Sequence, residues 1–431
     1  MERYSEYRDS GVKWLGEIPS HWEVKRLGSY FSERHVKVSD KDYAPLSVTK
    51  LGVFPQWENV AKTNDGDNRK LVKSGDFVIN SRSDRKGSSG VSDRDGSVSL
   101  INIVLQPRQT IIGRFSQYLL KSNLFIEEYY RNGRGIVADL WTTRYDEMKT
   151  IKVAIPSIKE QEAIANYLDA ATSKIDEAIG QQQKTIELLN ERKQIIINNA
   201  VTKGLAPNVT MKDSGIEWIG EVPEKWEVIK FKNLFKTRTG ITFTKAELVE
   251  VGERVISYGQ IHSKDNWRAS VNPDLIRYIP LSLTEGKQGA LAEKGDFLFA
   301  DTSEDFEGCG NNVYIDTEEP IYAGYHTILA KCNNKQCGAY LAYLFASSKW
   351  RGQIRSMVNG VKVYSITQTI IKNTSVILPT LDEQKAIAEY IKERVVVIDN
   401  AIKGHNKKIS LLQERKQIII NEVVTGKVKV T

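Results

Sequence analysis

The sequence predicts an α+β fold with a pseudo-twofold internal repeat: two mixed α/β domains separated by two long helices that form an antiparallel coiled coil. Three observations predict it. A string of nineteen residues is written twice, a helical segment with an apolar seam is written twice, and the stretches between the copies scarcely resemble each other.

The first repeat is DSGVKWLGEIPSHWEVKRL at 9–27, which returns as DSGIEWIGEVPEKWEVIKF at 213–231 with ten identities at an offset of 204. Trp14, Pro19 and Trp22 become Trp218, Pro223 and Trp226. The second repeat begins at Ile155 and returns at Leu378, an offset of 223, and each copy continues to an identical ERKQIIIN at 191–198 and 414–421. The order is therefore variable block, shared helix, variable block, shared helix.

The shared segments carry helical periodicity. Leu168, Thr172, Ile175, Ile179, Gln182, Ile186, Leu189, Lys193 and Ile196 alternate spacings of four and three, and Ile391, Val395, Ile398, Ile402, His405, Ile409, Leu412, Lys416 and Ile419 repeat them. Such a stripe also suits the core of a helical domain, but two copies between two globular blocks describe a spacer in which each helix covers the other. Gln182 and His405 hold equivalent mid-seam positions, where polar residues fix register.

These signals divide the chain into 1–155 (N-terminal segment and first domain), 156–203 (first spacer helix), 204–378 (connector and second domain) and 379–431 (second spacer helix and tail). In each block a Gly-Asp turn runs into an apolar strand, LVKSGDFVIN at 71–80 and LAEKGDFLFA at 291–300. A chain of 431 residues, 40% of them hydrophobic, is long enough for several cores. Its charged start and the lack of a long apolar run place it in the cytoplasm. Cys309, Cys332 and Cys337 are too few for a disulfide framework, and with His326 they fit no common zinc spacing, so no metal is expected. A net charge of +7, with 61 basic residues among 54 acidic ones, permits a nucleic-acid partner without demanding one.

As a connected set, DSGVKWLGEIPSHWEV, IPSIKEQEAIANYLD, the paired ERKQIIIN helices, the connector TKGLAPNVTMKDSGIEWIGEVP and the ending VVTGKVKV resemble the specificity subunits of type I restriction-modification enzymes across essentially the whole chain. The resemblance implies two target-recognition domains that each read one half of an asymmetric bipartite site on double-stranded DNA. It implies helices that set the gap and dock two modification (methyltransferase) subunits, with restriction (translocase and nuclease) subunits in addition. It implies no catalytic residues, and S-adenosylmethionine, ATP and magnesium held by those partners. The residues agree, for no phosphate-cradling glycine loop ends in Lys-Ser or Lys-Thr, and the string nearest an adenine-methyltransferase signature, Asn272-Pro273-Asp274-Leu275, departs from it. Two other readings remain open from the residues: a metal-dependent nuclease on Asp274, Glu285 and Lys287, and a protein-interaction scaffold.

Sequence readout needs forked or amide side chains at base edges and cations on phosphates. In the first block the basic, glycine-rich stretch 80–90, with Arg82, Arg85 and Lys86, is the leading candidate, followed by Arg131 and Arg134. In the second block the basic stretch 229–245, with Lys232, Lys236, Arg238 and Lys245 among Phe231, Phe235 and Phe243, is expected to turn its rings inward and its cations outward. Arg34 is the counterpart of Arg238; Arg351, Arg355, Lys362 and Tyr364 are weaker candidates. Asp301, Glu304, Asp305 and Glu307 make the loop after the second Gly-Asp strand acidic, which suits acceptance from cytosine amines, a protein partner, or a place off the DNA.

Overall fold

A computed structural model describes residues 2–56, 66–135, 141–332, 336–360 and 362–430. The chain folds as two compact units, one of Met1–Gln183 with Asn406–Thr431 and one of Lys184–His405. Both divisions fall inside the long helices Ile158–Lys203 and Leu381–Val424, so each helix contributes to both units. Among the described residues no helix is long and apolar enough to cross a membrane.

Each unit is built around a four-stranded antiparallel sheet of the same order. In the first unit the neighbours are Ser89–Val91, Phe77–Asn80, Asn102–Pro107 and Phe31–Glu33; in the second they are Asn312–Tyr314, Phe297–Ala300, Thr327–Cys332 and Phe235–Thr239. The Gly-Asp turn feeds the second strand of each list. Gly75 and Gly295 take φ of 91° and 103°, a region open to glycine, while the Asp76 and Asp296 carboxylates accept from the backbone N–H of Lys73 (2.8 Å) and Glu293 (2.9 Å) and close the turn. Helices Gly113–Lys121 and Asn123–Arg131 bury Phe115, Leu119, Phe125 and Tyr129 in the first core; Gly338–Ala346 and Ser348–Arg355 bury Tyr340, Leu344, Phe345 and Trp350 in the second.

A two-stranded ribbon closes each variable block at its base. Glu23–Arg26 pairs with Lys152–Ile155, and Glu227–Lys230 with Ser375–Leu378, so the chain leaves and re-enters the frame at one point and runs directly into a long helix.

The duplicated strings are the fastenings at that point. Trp22 is buried and donates its indole N–H to Glu160 at 3.0 Å; Trp226 does the same to Glu383 at 3.4 Å. The adjacent glutamines are fully buried. Gln161 accepts from Ile112 N at 3.0 Å and donates to Thr110 O and Pro156 O; Gln384 accepts from Cys337 N at 3.0 Å and donates to Pro379 O and Gln336 Oε1. A buried amide with three partners leaves little unsatisfied, which explains why the Glu-Gln pair recurs in both copies.

The long helices run antiparallel, and the seam faces inward. Leu168, Thr172, Ile175, Ile391, Ile398 and Ile419 are buried, and Ile179, Ile186, Leu189, Ile196, Ile402, Ile409 and Leu412 are half-buried. In the first unit Ile175 and Ile179 pack in one core with Leu412, Ile419 and Val423. In the second, Ile197 and Val201 share a core with Ile387, Ile391 and Val395.

Candidate nucleic-acid interface

In the first unit the two stretches proposed from sequence meet. The backbone of Trp141–Thr143 lies against the loop after strand Phe77–Asn80, with Ser83 N donating to Trp141 O at 3.1 Å and Thr143 N to Ser81 O at 3.0 Å. On its other side Arg134 exchanges two hydrogen bonds with Thr142, at 2.9 and 3.0 Å. Arg82 and Arg134, distant in sequence, therefore flank one short segment, and both are exposed.

The cations around this segment are held by ion pairs. Arg85 lies 3.7 Å from Asp84, Lys86 2.6 Å from Glu127, Arg134 3.4 Å from Glu147, and Arg131 makes a fork to Glu128 at 2.6 and 2.7 Å. The Arg85–Asp84 and Lys86–Glu127 pairs are exposed on both sides and contribute about 0–1 kcal/mol, so a phosphate can displace them, whereas Arg131 and Arg134 are exposed cations on largely buried carboxylates. Arg82 has no ion pair among the described residues, and exposed Arg144, which sequence reading missed, follows the same segment. Its signal was its place directly after Trp141-Thr142-Thr143.

Arg34 departs from the expectation. It forks onto the buried carboxylate of Asp76 at 2.7 and 3.0 Å and locks the Gly-Asp turn to the edge strand. A guanidinium committed to a buried carboxylate is not available to DNA. In the second unit Asp296 accepts instead from Cys332 N at 3.1 Å, and the counterpart Arg238 stays exposed.

The second unit gathers its cations on an edge strand. Lys236 and Arg238 are exposed along Phe235–Thr239, and with Lys232 and Lys372 they line an open groove. Beneath it Phe231 and Phe235 are buried and stack at 4.4 Å, and Phe243 is buried too, so the rings turn inward as the alternation of the sequence implies. Gln368 ties the helix Gln368–Asn373 to the strand by accepting from Thr237 Oγ1 at 2.7 Å and donating to Thr239 Oγ1 at 3.0 Å. That tie brings in Lys372, which nothing in the local sequence announced. Lys245 is exposed in the short turn Lys245–Glu247.

Two further candidates are placed otherwise than expected. Arg351 is buried and donates from Nε to Cys309 O at 3.1 Å and from Nη2 to Glu307 O. Burial, with Arg268 and Arg355 nearby, lowers its pKa to about 9. Arg355 pairs with Glu307 at 2.6 Å. Both staple the acidic loop from beneath; neither presents its head to a ligand. Lys362 is exposed, and Tyr364 lies in the short strand Tyr364–Ser365, paired with Thr302–Ser303 at the start of that loop.

Residues 223–412 match the family described as type I restriction modification DNA specificity domain. The type I restriction enzyme MjaVIII specificity subunit of Methanocaldococcus jannaschii is 25% identical to this chain over 447 residues, covering 100% of this chain and 98% of its own. Over its whole length the chain is similar to type I specificity subunits. The EcoKI specificity subunit of Escherichia coli K12 is 22% identical, covering 95% of this chain and 90% of its own. A solved chain from a study of complex assembly in the type I restriction-modification system has the same fold, with a TM-score of 0.66 at 14% identity over 95% of this chain and 99% of that one.

The nuclease reading finds no constellation. Asp274, Glu285 and Lys287 are exposed, and among the described residues no three His, Cys, Asp or Glu side chains are placed to hold a metal ion. None of the three cysteines forms a disulfide, and the Cys309 thiol, buried in the second core, donates to Asp305 O at 3.7 Å.

Proposed function

We propose that this chain is a specificity subunit that reads a bipartite DNA target, each variable block taking one half-site, and carries no catalysis of its own. The observation that supports this is where the duplication stops. Trp–Glu fastening, buried glutamine, Gly-Asp turn, sheet order and helix seam are kept in both units, whereas the exposed loops and edge strands differ in sequence and charge. One frame with two unlike faces is what an asymmetric target requires.

In the first unit Arg82, Arg85, Lys86, Arg131 and Arg134 face the DNA, and in the second Lys236, Arg238 and Lys245, joined by Lys232 and Lys372, with Lys362 and Tyr364 beside the acidic loop. The open lysine groove suits phosphates, which set register without reading sequence. The domains follow the four divisions of the sequence, and the seam residues from Leu168 to Ile419 act as the spacer that sets the gap. The partners are double-stranded DNA, two modification subunits and, for cleavage, restriction subunits. S-adenosylmethionine, ATP and magnesium reside on those partners, and the complex works in the cytoplasm.

A block exchange tests the reading. Replacing residues 24–150 with the equivalent block of another family member should change one half-site of the methylated motif and leave the other half-site and the gap intact. A simultaneous change in both would sink the assignment of one block to one half-site. Absence of any salt-dependent DNA binding by the complete complex would favour the protein scaffold instead.

A further inference from the structure

The loop after the Gly-Asp strand holds the same place in both units. In the first, Thr143 N donates to Ser81 O at 3.0 Å; in the second, Ile366 N donates to Asp301 O at 2.7 Å, and Thr302–Ser303 pairs with Tyr364–Ser365. What the loops carry is opposite in sign. The first offers Arg82, Arg85 and Lys86, the second Glu304, Asp305 and Glu307.

Bare carboxylates are repelled by a phosphate backbone. Most of this loop's charge is absorbed within the unit. Glu307 pairs with Arg355 at 2.6 Å, Asp301 lies 3.0 Å from His326 Nδ1, and the Asp305 carboxylate accepts from the backbone N–H of Gly308. The loop backbone is also pinned from below. Arg351 donates to the carbonyls of Cys309 and Glu307, Arg355 donates to Glu307 O at 2.9 Å, and His262 spans Thr302 O at 2.8 Å and Asn311 Nδ2 at 3.0 Å.

Two side chains at the tip are left over. Glu304 is exposed, with no hydrogen bond or ion pair among the described residues. Phe306 is 45% exposed and stands edge-on to Tyr364 at 5.6 Å, with the Arg355 guanidinium 5.9 Å from its ring. A rigid loop that presents one free carboxylate and one braced ring is preorganised for recognition, because little side-chain freedom remains to be lost on binding.

We propose that Glu304 and Phe306 are base-reading groups of the second unit, and that the two units read their half-sites with opposite chemistry. In the first, guanidinium donors match acceptor edges such as guanine O6 and N7. In the second, a carboxylate accepts from the amine of cytosine or adenine and a ring packs on a thymine methyl. This rests on the DNA-reading function and assigns the acidic loop its part in it.

The test uses Glu304→Gln, Phe306→Leu and Arg82→Gln, each in the complex with its modification subunits, with methylation mapped over a randomised target library. Glu304→Gln and Phe306→Leu should each relax one position of the second half-site by about ten-fold or more, the scale of one base contact, and leave the first unchanged. Arg82→Gln should relax an acceptor-rich position of the first half-site only. Removing the exocyclic amine from the base read by Glu304 should cost the parent complex the same factor and cost Glu304→Gln nothing further. An unchanged second half-site in both loop variants overturns the proposal. If a loop variant abolishes methylation, retained salt-dependent binding to unrelated duplex supports it, and loss of that binding too overturns it. A parent complex indifferent to sequence would instead indict the function on which the proposal rests.

Discussion

Lys416 donates to both carboxylate oxygens of Asp176, at 2.7 and 2.6 Å, and Lys193 makes the same two bonds to Asp399 at 2.8 and 3.0 Å. Each lysine and each aspartate is the image of the other at an offset of 223, so an antiparallel pairing of two copies forms the contact twice. The carboxylates are 56% and 41% exposed, and either pair is worth at most about 1 kcal/mol. Its use is to mark register. Asp176→Lys alone should lower the melting temperature by placing two ammonium groups together, and adding Lys416→Asp should restore most of the loss. The penalty should shrink in 1 M salt, and a salt-independent penalty would show that packing rather than charge was disturbed.

The buried glutamines should matter far more than the ion pairs. Gln161→Leu strands the N–H of Ile112 and the carbonyls of Thr110 and Pro156 in a dry site, and an unsatisfied buried group costs about 1–3 kcal/mol. A loss of roughly 2–4 kcal/mol is expected once partial relaxation is allowed for. Gln384→Leu should cost less, because one of its partners is the side chain of Gln336, which can turn to water. Thermal unfolding of the full chain checks the order, and equal losses would contradict it.

Acid should loosen two carboxylate contacts made by the long helices. Burial pushes the Asp169 carboxyl upward, but hydrogen bonds from Tyr118 (2.6 Å) and Arg114 (Nε at 3.0 Å) and the Arg114 charge outweigh it, so its pKa lies below the ordinary carboxylate value. Glu383 is shifted in the same direction. Burial again opposes, and bonds from the Thr380 hydroxyl and N–H and from Trp226, with the Lys225 charge, prevail. A carboxylate held low in the fold contributes fully above its unfolded pKa near 4 and loses that contribution as pH falls through the folded value. Melting temperature should therefore drop between about pH 5 and pH 3, and Asp169→Asn should flatten the slope. An unchanged slope would place the acid sensitivity elsewhere.

Which parts of this were legible in the sequence follows from what duplication can and cannot show. Trp22 and Trp226 could be singled out because the frame is written twice, and the seam because its period is regular; that each indole donates to a glutamate, Glu160 or Glu383, came only from the fold. The fate of a single cation could not. Arg34 and Arg238 share one register, but Asp76 takes the first while Asp296 turns to a backbone N–H, a difference made by packing. Arg351 reads as one more basic residue near the end of a block, yet its helix, Ser348–Arg355, turns it inward onto the loop carbonyls. Lys372 joins Lys236 only because Gln368 fastens a distant helix to the edge strand.

The long helices also carry apolar residues outside the seam, and these too come in pairs. Leu188 and Ile195 are 57% and 51% exposed, and their images Leu411 and Ile418 are 54% and 46% exposed. Seven residues separate the members of each pair, two turns of helix, so both lie on one face of their own helix. The first pair belongs to the second unit and the second pair to the first. A large apolar side chain left in water gains about 1.5–3 kcal/mol when fully covered, so under the proposed function these paired patches, one in each unit, are the expected docks of the two modification subunits. Leu188→Glu with Ile195→Glu should leave the melting temperature nearly unchanged, because no core is touched, and should reduce the modification subunits bound per chain from two to one. Leu411→Glu with Ile418→Glu should do the same, and all four together should leave none. Size-exclusion chromatography with light scattering on the reconstituted complex reads this directly. A quadruple variant that still binds two modification subunits would show that they dock elsewhere.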